Sequence, residues 1–374
     1  MVKLKQIVMR LGLLTRKKIT MKIGLLTSGG DCAGLNAVLR GFGKTIFSLL
    51  PTVEVYGIMD GYAGLIDCKY RQLKPDDFSN ILTIGGTILG TSRQNYKKFL
   101  QAEDTNKIES IKKNYNKMGL DALIVLGGSG SHKTATLLST EGLNIIGLPK
   151  TIDNDIIGTD VTFGFHTAVD VATECIDRLQ TTAASHKRTI IVELMGNKVG
   201  WLTLYAGIAG GAHIILIPEI PFDMTKIIDA VDIHIKKKTG FCIIAASEGA
   251  MDIIEAQLGK KERNMLRAER GEVTASARIA KAVSEELDVE TRVVVPGYIQ
   301  RGGTPSSYDR VLCTQIGAYG ARLAIEKHFG IGVALINGKM TYNSLTDIAG
   351  KTKLVPPDHE LIRTARDIGV SFGD

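Results

Sequence analysis

The chain has 374 residues, 44% hydrophobic and 23% charged, with 9 prolines, so it describes a globular protein of about two domains at roughly 150 residues each. No apolar run reaches the ~18 residues of a membrane helix, and apolar residues recur in short periodic blocks, which excludes extended disorder. The net charge of +7 is concentrated in residues 1–20, where Lys3, Lys5, Arg10, Arg16, Lys17 and Lys18 meet no acid; the remaining 40 basic side chains balance 39 acidic ones, so the body has no charge bias toward nucleic acid.

In chain order, residues 1–20 are a basic extension without the long apolar stretch or small-residue cleavage site of a secretory signal, expected to be disordered or not native. Ile23–Thr27 reads as a strand, closed by Gly29-Gly30 and followed by a helix from about Leu35 to Leu49. Val53–Ile58 is the next strand. Ala122–Leu126 follows, ending in Gly127-Gly128 before a helix from about Ser131, and Asn144–Leu148 ends at Pro149. Ile190–Met195, Ile214–Ile217, Phe241–Ala246, Val293–Val295 and Gly332–Ile336 complete the strands, with helical periods notably over Ala168–Thr182 and Tyr308–Lys327. This alternation predicts an α/β protein with mostly parallel strands and helices on both faces. The strands suffice for two sheets, and without a Pro-rich linker the chain is expected to cross between lobes more than once. The charged stretches Lys236–Lys238 and Lys260–Arg270 read as solvated helix ends or loops.

Cys32, Cys68, Cys175, Cys242 and Cys313 are widely spaced, odd in number and without a CxxC pair, and no HExxH occurs. Neither a disulfide framework nor a zinc site is indicated, and a reducing cytoplasm is the expected compartment.

Four polar, glycine-rich segments follow predicted strands, where α/β sheets bind ligands. Gly29–Asn36 lets backbone approach a phosphate, although a tight strand-to-helix turn would look the same. Gly127–Thr134 has the strand–loop–helix form of a phosphate-binding loop, but His132 stands where a Walker-type loop needs its last glycine. Pro149–Asp155 places Lys150, Thr151, Asp153 and Asp155 behind a core strand; paired carboxylates there suit a proton acceptor, a divalent cation or an Asx-rich turn. Gly297–Gly303 carries Tyr298 and Arg301, with Arg292 upstream and Arg93 and Arg188 beside other small residues. Guanidinium groups match phosphate with two parallel donors, and any one alone would read as a surface ion pair.

Together these segments resemble the phosphofructokinase family, from about Met21 to the C-terminus. The matching strings are Gly29–Asp31, Gly90–Arg93, Gly127–Ser131, Thr151–Asp155, Ser185–Arg188, Met195-Gly196, Ala209–Gly211, Glu248-Gly249 and Gln300–Gly303, in that order. The resemblance implies two Rossmann-like three-layer domains: residues 21–164 with 300–350 for the phosphoryl donor, and 165–299 with 351–374 for the sugar phosphate. It implies transfer of the ATP γ-phosphoryl to the 1-hydroxyl of fructose 6-phosphate, with Mg2+, in a cytoplasmic homodimer or homotetramer with shared active sites. Asp153 would be the base, Asp155 would hold it and the metal, and Thr151 would contact the transferring phosphoryl. Gly29, Arg93, Gln94, Gly127, Gly128, Ser129 and Gly130 would cradle the donor. Met195, Gly196, Asn197 and Glu248 would contact the sugar, Tyr298 and Arg301 its 6-phosphate, and Arg188 and Arg292 would reach that phosphate from a neighbouring subunit.

Three positions depart from the family pattern. Ser129 replaces the usual metal-holding aspartate, leaving Asp153, Asp155 or Asp31 for Mg2+ and implying weaker metal binding. Asn197 replaces a frequent arginine, and Tyr298 a frequent histidine. For the donor, Gly130 stands where pyrophosphate-using relatives carry an aspartate that excludes the ATP α-phosphate, whereas Lys150 is frequent in those relatives. The steric difference favours ATP, with pyrophosphate as the alternative. A non-catalytic sugar-phosphate or nucleotide-binding paralogue is a second alternative, motivated by Ser129 and Asn197 and opposed by the intact Thr151–Asp155 string. A dinucleotide-dependent dehydrogenase lacks its G-x-G-x-x-G fingerprint.

Overall fold

A computed structural model of the chain describes residues 20–94, 99, 105–238, 240–271 and 274–374. Residues 1–19, and the expectation made for the basic extension, lie outside the described residues.

The chain lays down β1 (Lys22–Ser28), β2 (Glu54–Ile58), β3 (Tyr70–Leu73), β4 (Ala122–Gly127) and β5 (Ile145–Pro149), then β6 (Thr189–Leu194), β7 (Ile214–Leu216), β8 (Cys242–Ser247) and β9 (Thr291–Val294), and returns for β10 (Ile331–Ile336) and β11 (Lys339–Ser344). The helices that matter to the site are α1 (Leu35–Leu49), α2 (Ser129–Thr140), α3 (Phe165–His186), α4 (Trp201–Ala209), α5 (Lys260–Glu269) and α6 (Ser307–Ile325).

Two sheets form. The first runs β11-β10-β5-β4-β1-β2-β3 and the second β7-β8-β6-β9. The inner strands of the first sheet and all of the second are parallel. β4, β5, β6 and β8 are buried at every residue, as near-continuous apolar runs require when helices cover both faces. The edge strands β3 and β11 pair antiparallel with β2 and β10 and were not foreseen. Their sequences, YRQL and KMTYNS, carry little apolar signal because an edge strand buries little.

α3 carries the chain from the first sheet to the second, and α6 brings it back. Asp309 of α6 is fully buried and accepts hydrogen bonds from Gly164 N (3.0 Å), Thr167 N (2.8 Å) and Thr167 Oγ1 (2.5 Å), satisfying the exposed amides at the start of α3. α1 and α6 touch through glycines: a Cβ on Gly317 would lie 2.3 Å from the Val38 carbonyl oxygen, so the two backbones meet only because that side chain is missing. One apolar cluster runs through both lobes.

One expectation is corrected. Lys260–Arg270, expected as solvated helix ends or loops, is a surface helix, α5, whose arginines at its end are not simply solvated. Arg267 pairs with the fully buried Glu255 at 2.7 Å and Arg270 with Asp252 at 2.7 Å. A buried carboxylate demands such partners, and Arg278 supplies another to Glu255 at 2.7 Å. All five cysteines are free, and among the described residues no helix is long and apolar enough to cross a membrane.

Candidate active site

From β1 the chain proceeds to β2 on one side, and from β4 to β5 on the other. The crevice at the carboxyl ends of β1 and β4 is therefore a topological switch point, where open α/β sheets bind ligands. Gly29 closes β1 with φ 85°. Its N–H donates to Ser92 O at 3.1 Å and its carbonyl accepts from Thr91 Oγ1 at 2.7 Å, so the loop before Arg93 clamps the turn. A Cβ on Gly30 would lie 2.8 Å from Nη1 of Arg301 and 3.4 Å from Nη2 of Arg93. The absent side chain admits both guanidinium groups.

Across the crevice, Gly127 ends β4 and Gly128 caps α2 without a side-chain hydrogen bond. The first turn, whose amides have no partner within the helix, lines the cleft through Gly128–Ser131 and suits an anion. Ser131 Oγ donates to Ser28 Oγ at 3.0 Å and ties the two turns together. His132 is not a ligand. It is buried, its Nδ1 lies 3.0 Å from Gly128 O, and a Cβ on Gly147 would collide with its Nε2 at 2.6 Å. The ring props the turn from behind, and burial holds its pKa down to about 4.

β5 delivers the charged segment. Lys150 is buried, its Nζ donates to Gly30 O, and burial lowers its pKa. Next, Asp153 N donates to Thr151 Oγ1 at 3.0 Å, and Thr162 Oγ1 donates to Thr151 O at 2.8 Å. Asn154 takes left-handed φ 53° and accepts from Thr162 N at 3.1 Å, separating two aspartates whose Oδ1 atoms are buried without partners. Burial first, then the charge of Asp155, raises the pKa of Asp153 to about 6, with Arg301 and Lys150 pulling the other way. Two orphaned carboxylate oxygens side by side fit a divalent cation. No cluster of three metal-ligating side chains exists among the described residues, so further ligands would come from substrate phosphates and water.

The second sheet faces this cleft. Gly196 N and Asn197 N donate to Glu248 Oε1 at 3.2 and 2.7 Å, and Met195 N to Gln300 Oε1 at 3.3 Å. A cavity of about 210 Å³ is lined by Glu193, Met195, Glu248, Gly297 and Tyr298. Arg301 leaves that loop and crosses to Asp31 O at 3.2 Å.

Gly29, Arg93, Gln94, Gly128, Ser129, Gly130, Thr151, Asp153, Asp155, Asn197 and Arg301 thus line one cleft of about 250 Å³, with Lys150 at its floor. Asn197 and Arg301 belong to this cleft rather than to the Tyr298 cavity. Arg188 and Arg292 lie elsewhere: both pair with Glu290, at 2.9 and 2.6 Å, where β6 and β9 begin. The six residues of β6 separate Arg188 from Met195, roughly 20 Å of strand. Glu193 and Ser28 were not foreseen; each is a polar residue on a largely apolar strand, a weak but readable signal, while Gln300 stood in a segment already singled out without a role of its own.

A phosphofructokinase family model matches residues 22–324. The chain is 50% identical to the ATP-dependent 6-phosphofructokinase of Spirochaeta thermophila, over 93% of this chain and 96% of that protein, and 45% identical to the enzyme of the same name from Propionibacterium freudenreichii, over 93% and 98%. Its structure superposes on phosphofructokinase from Saccharomyces cerevisiae with TM-score 0.76 and 31% identity, over 87% of this chain and 45% of that one. A pyrophosphate-dependent phosphofructokinase from Marinobacter aquaeolei, 22% identical, shares the fold with TM-score 0.78 over 94% of this chain and 92% of that one. With similarity running through the sheet, the glycine turns and the aspartate loop alike, the chain belongs to the phosphofructokinase family.

Proposed function

We propose that this chain is an ATP-dependent 6-phosphofructokinase, moving the γ-phosphoryl of ATP onto the 1-hydroxyl of fructose 6-phosphate to give fructose 1,6-bisphosphate and ADP in glycolysis. The observation that carries this reading is one cleft holding two glycine turns, three cationic side chains and a carboxylate with a raised pKa. Phosphoryl transfer asks for positioning and charge neutralisation rather than an unusual nucleophile.

The lobe of residues 21–164 and 300–350 takes the donor. Gly29, Gly127, Gly128 and the amides opening α2 receive its phosphates, with Arg93, Gln94, Ser129 and Lys150 beside them. A Cβ on Gly130 would meet nothing within 4 Å, which leaves room for a nucleotide. Thr151 Oγ1 already accepts from Asp153 N, so its own hydrogen is free to donate to the transferring phosphoryl. The lobe of residues 165–299 and 351–374 takes the sugar through Met195, Gly196, Asn197 and Glu248, with its Tyr298 and, reaching from the other lobe at the cleft, Arg301 on the 6-phosphate. Asp153 draws the proton from the 1-hydroxyl as the new O–P bond forms, and ADP departs with the old one broken. Asp153 and Asp155 would hold Mg2+, with Ser129 at the position where relatives carry an aspartate, and the ion would supply neutralisation of the donor phosphates.

Arg188 and Arg292, remote from Asp153 of their own chain, suit the sugar phosphate bound by a second copy, so a homodimer or homotetramer completes the site in the cytoplasm. The test is purified protein with Mg2+ and fructose 6-phosphate, offered ATP or pyrophosphate. Turnover with ATP supports the reading; turnover with pyrophosphate alone overturns the donor, and none with either makes the chain a non-catalytic paralogue.

A further inference from the structure

Residues 351–356 leave the first sheet and run between the two loops that frame the cleft. Lys353 sits at the centre of this strap. Its Nζ donates to Asp160 O at 2.6 Å, Thr159 O at 2.9 Å and Asn154 Oδ1 at 3.3 Å, and its backbone N–H donates to Asp155 O at 2.9 Å. All three donors of the ammonium are thus spent on the turn that carries the catalytic aspartates. Asn154 is the left-handed residue between them, and its side-chain oxygen accepts from Lys353 Nζ and Thr162 N. A non-glycine residue in that region persists only where its surroundings over-determine it.

The other side of Lys353 belongs to the sugar lobe. Its carbonyl accepts from Trp201 Nε1 at 2.9 Å, and its ammonium lies 5.2 Å from the indole centroid. Trp201 opens α4, directly after the Met195–Gly200 loop, and His359 stacks edge-on against the indole at 5.1 Å. Two residues further along the strap, Val355 N donates to Glu219 Oε1 at 3.0 Å, which also accepts from Gly200 N at 3.0 Å. The strap is therefore stitched to the aspartate turn on one side and to the end of the sugar loop on the other.

We infer that Lys353 is a positioning residue for phosphoryl transfer: it locks the Asn154 turn that aims Asp153, and through Trp201 it links that lock to the sugar-binding loop. The inference rests on the kinase reading above. Trp201 is the one tryptophan of the chain, so its emission reports this contact directly.

The experiment compares the full-length protein with Lys353→Met, which keeps the aliphatic stem against the indole and removes the charge and donors, and Lys353→Arg, which restores both. Fructose 6-phosphate is expected to shift Trp201 emission in the wild type. Lys353→Met is expected to lose most of that shift and at least tenfold in kcat, with KM for fructose 6-phosphate within threefold, and Lys353→Arg to recover a large part of both. A Lys353→Met enzyme with kcat within twofold of wild type, a wild-type emission unmoved by sugar phosphate, or losses in kcat and KM together without rescue by arginine would each overturn the role. Should Lys353→Met fail to fold, Trp201→Phe decides: a kcat loss of fivefold at unchanged KM supports the link, and wild-type rates overturn it. A wild-type chain inactive with ATP overturns the kinase reading itself, whereas an active wild type with an active Lys353→Met overturns only the positioning role.

Discussion

Nη1 of Arg301 donates to the carbonyl oxygen of Asp31 at 3.2 Å, joining residues 270 positions apart at the cleft. The guanidinium stands between the donor turn and the sugar loop, able to exchange a carbonyl for phosphate oxygens without moving far. Lysine lacks the planar fork and cannot hold both partners. Arg301→Lys is expected to raise KM for fructose 6-phosphate about tenfold, a loss of some 1.4 kcal/mol, with a smaller change for ATP. Initial rates against each substrate check it; an effect confined to ATP would place Arg301 on the donor instead.

Asp153→Asn removes the carboxylate proposed to accept the proton while keeping the side chain's size. The expected kcat loss is between about 10²- and 10⁴-fold, the range of a positioned general base, with sugar-phosphate binding by calorimetry little changed. Because the carboxylate must be ionised to act and its pKa is raised to about 6, kcat/KM should fall as pH drops through that value. A profile flat down to pH 4 would contradict the base assignment.

Ser129 contributes a hydroxyl at the first residue of α2, beside Asp153 and Asp155 in the same cleft. Ser129→Asp adds a carboxylate for a hard cation. The Mg2+ concentration giving half-maximal rate is expected to drop about fivefold or more. An unchanged titration would show that the ion does not reach this position.

Gly130 faces open space, so Gly130→Asp is expected to fold normally. Its charge would oppose the α-phosphate and raise KM for ATP about tenfold, while binding of the sugar phosphate stays within twofold. Equal KM values for ATP in the two proteins would remove Gly130 from donor choice.

His132 gives a stability prediction. Its folded pKa is held at about 4 by burial against an unfolded value near 6.5, so below pH 6.5 the unfolded chain binds a proton that the folded chain refuses. Stability should fall by about 3 kcal/mol from this group as pH drops from 6.5 to 4, and not change above 6.5. His132→Asn keeps a donor toward Gly128 O and removes the titration; urea unfolding across that range should show a flatter dependence, and identical slopes would refute it.

How much of this was legible in the chain follows from the range of each interaction. The buried strands announced themselves because a strand covered on both faces must be apolar through most of its length, and the centres of β1, β4, β5, β6 and β8 are. The glycine turns, the Thr151–Asp155 loop and the arginines were readable for the same local reason: special backbone and concentrated charge leave a mark within a few residues. Edge strands β3 and β11 left no such mark because an edge strand buries little and needs few apolar residues, although their partners β2 and β10 are close in sequence.

Tertiary structure alone decided which of these local pieces share a cleft. The order of strands in the first sheet opens the crevice between β1 and β4, the return of the chain through α6 follows the Arg301 loop that reaches Asp31, and the strap sets Lys353 under Asn154. Composition and spacing carry no information about contacts closed across 199 or 270 residues, because those depend on how whole sheets and helices pack; the chemistry of each side chain was written in the sequence, and its company was not.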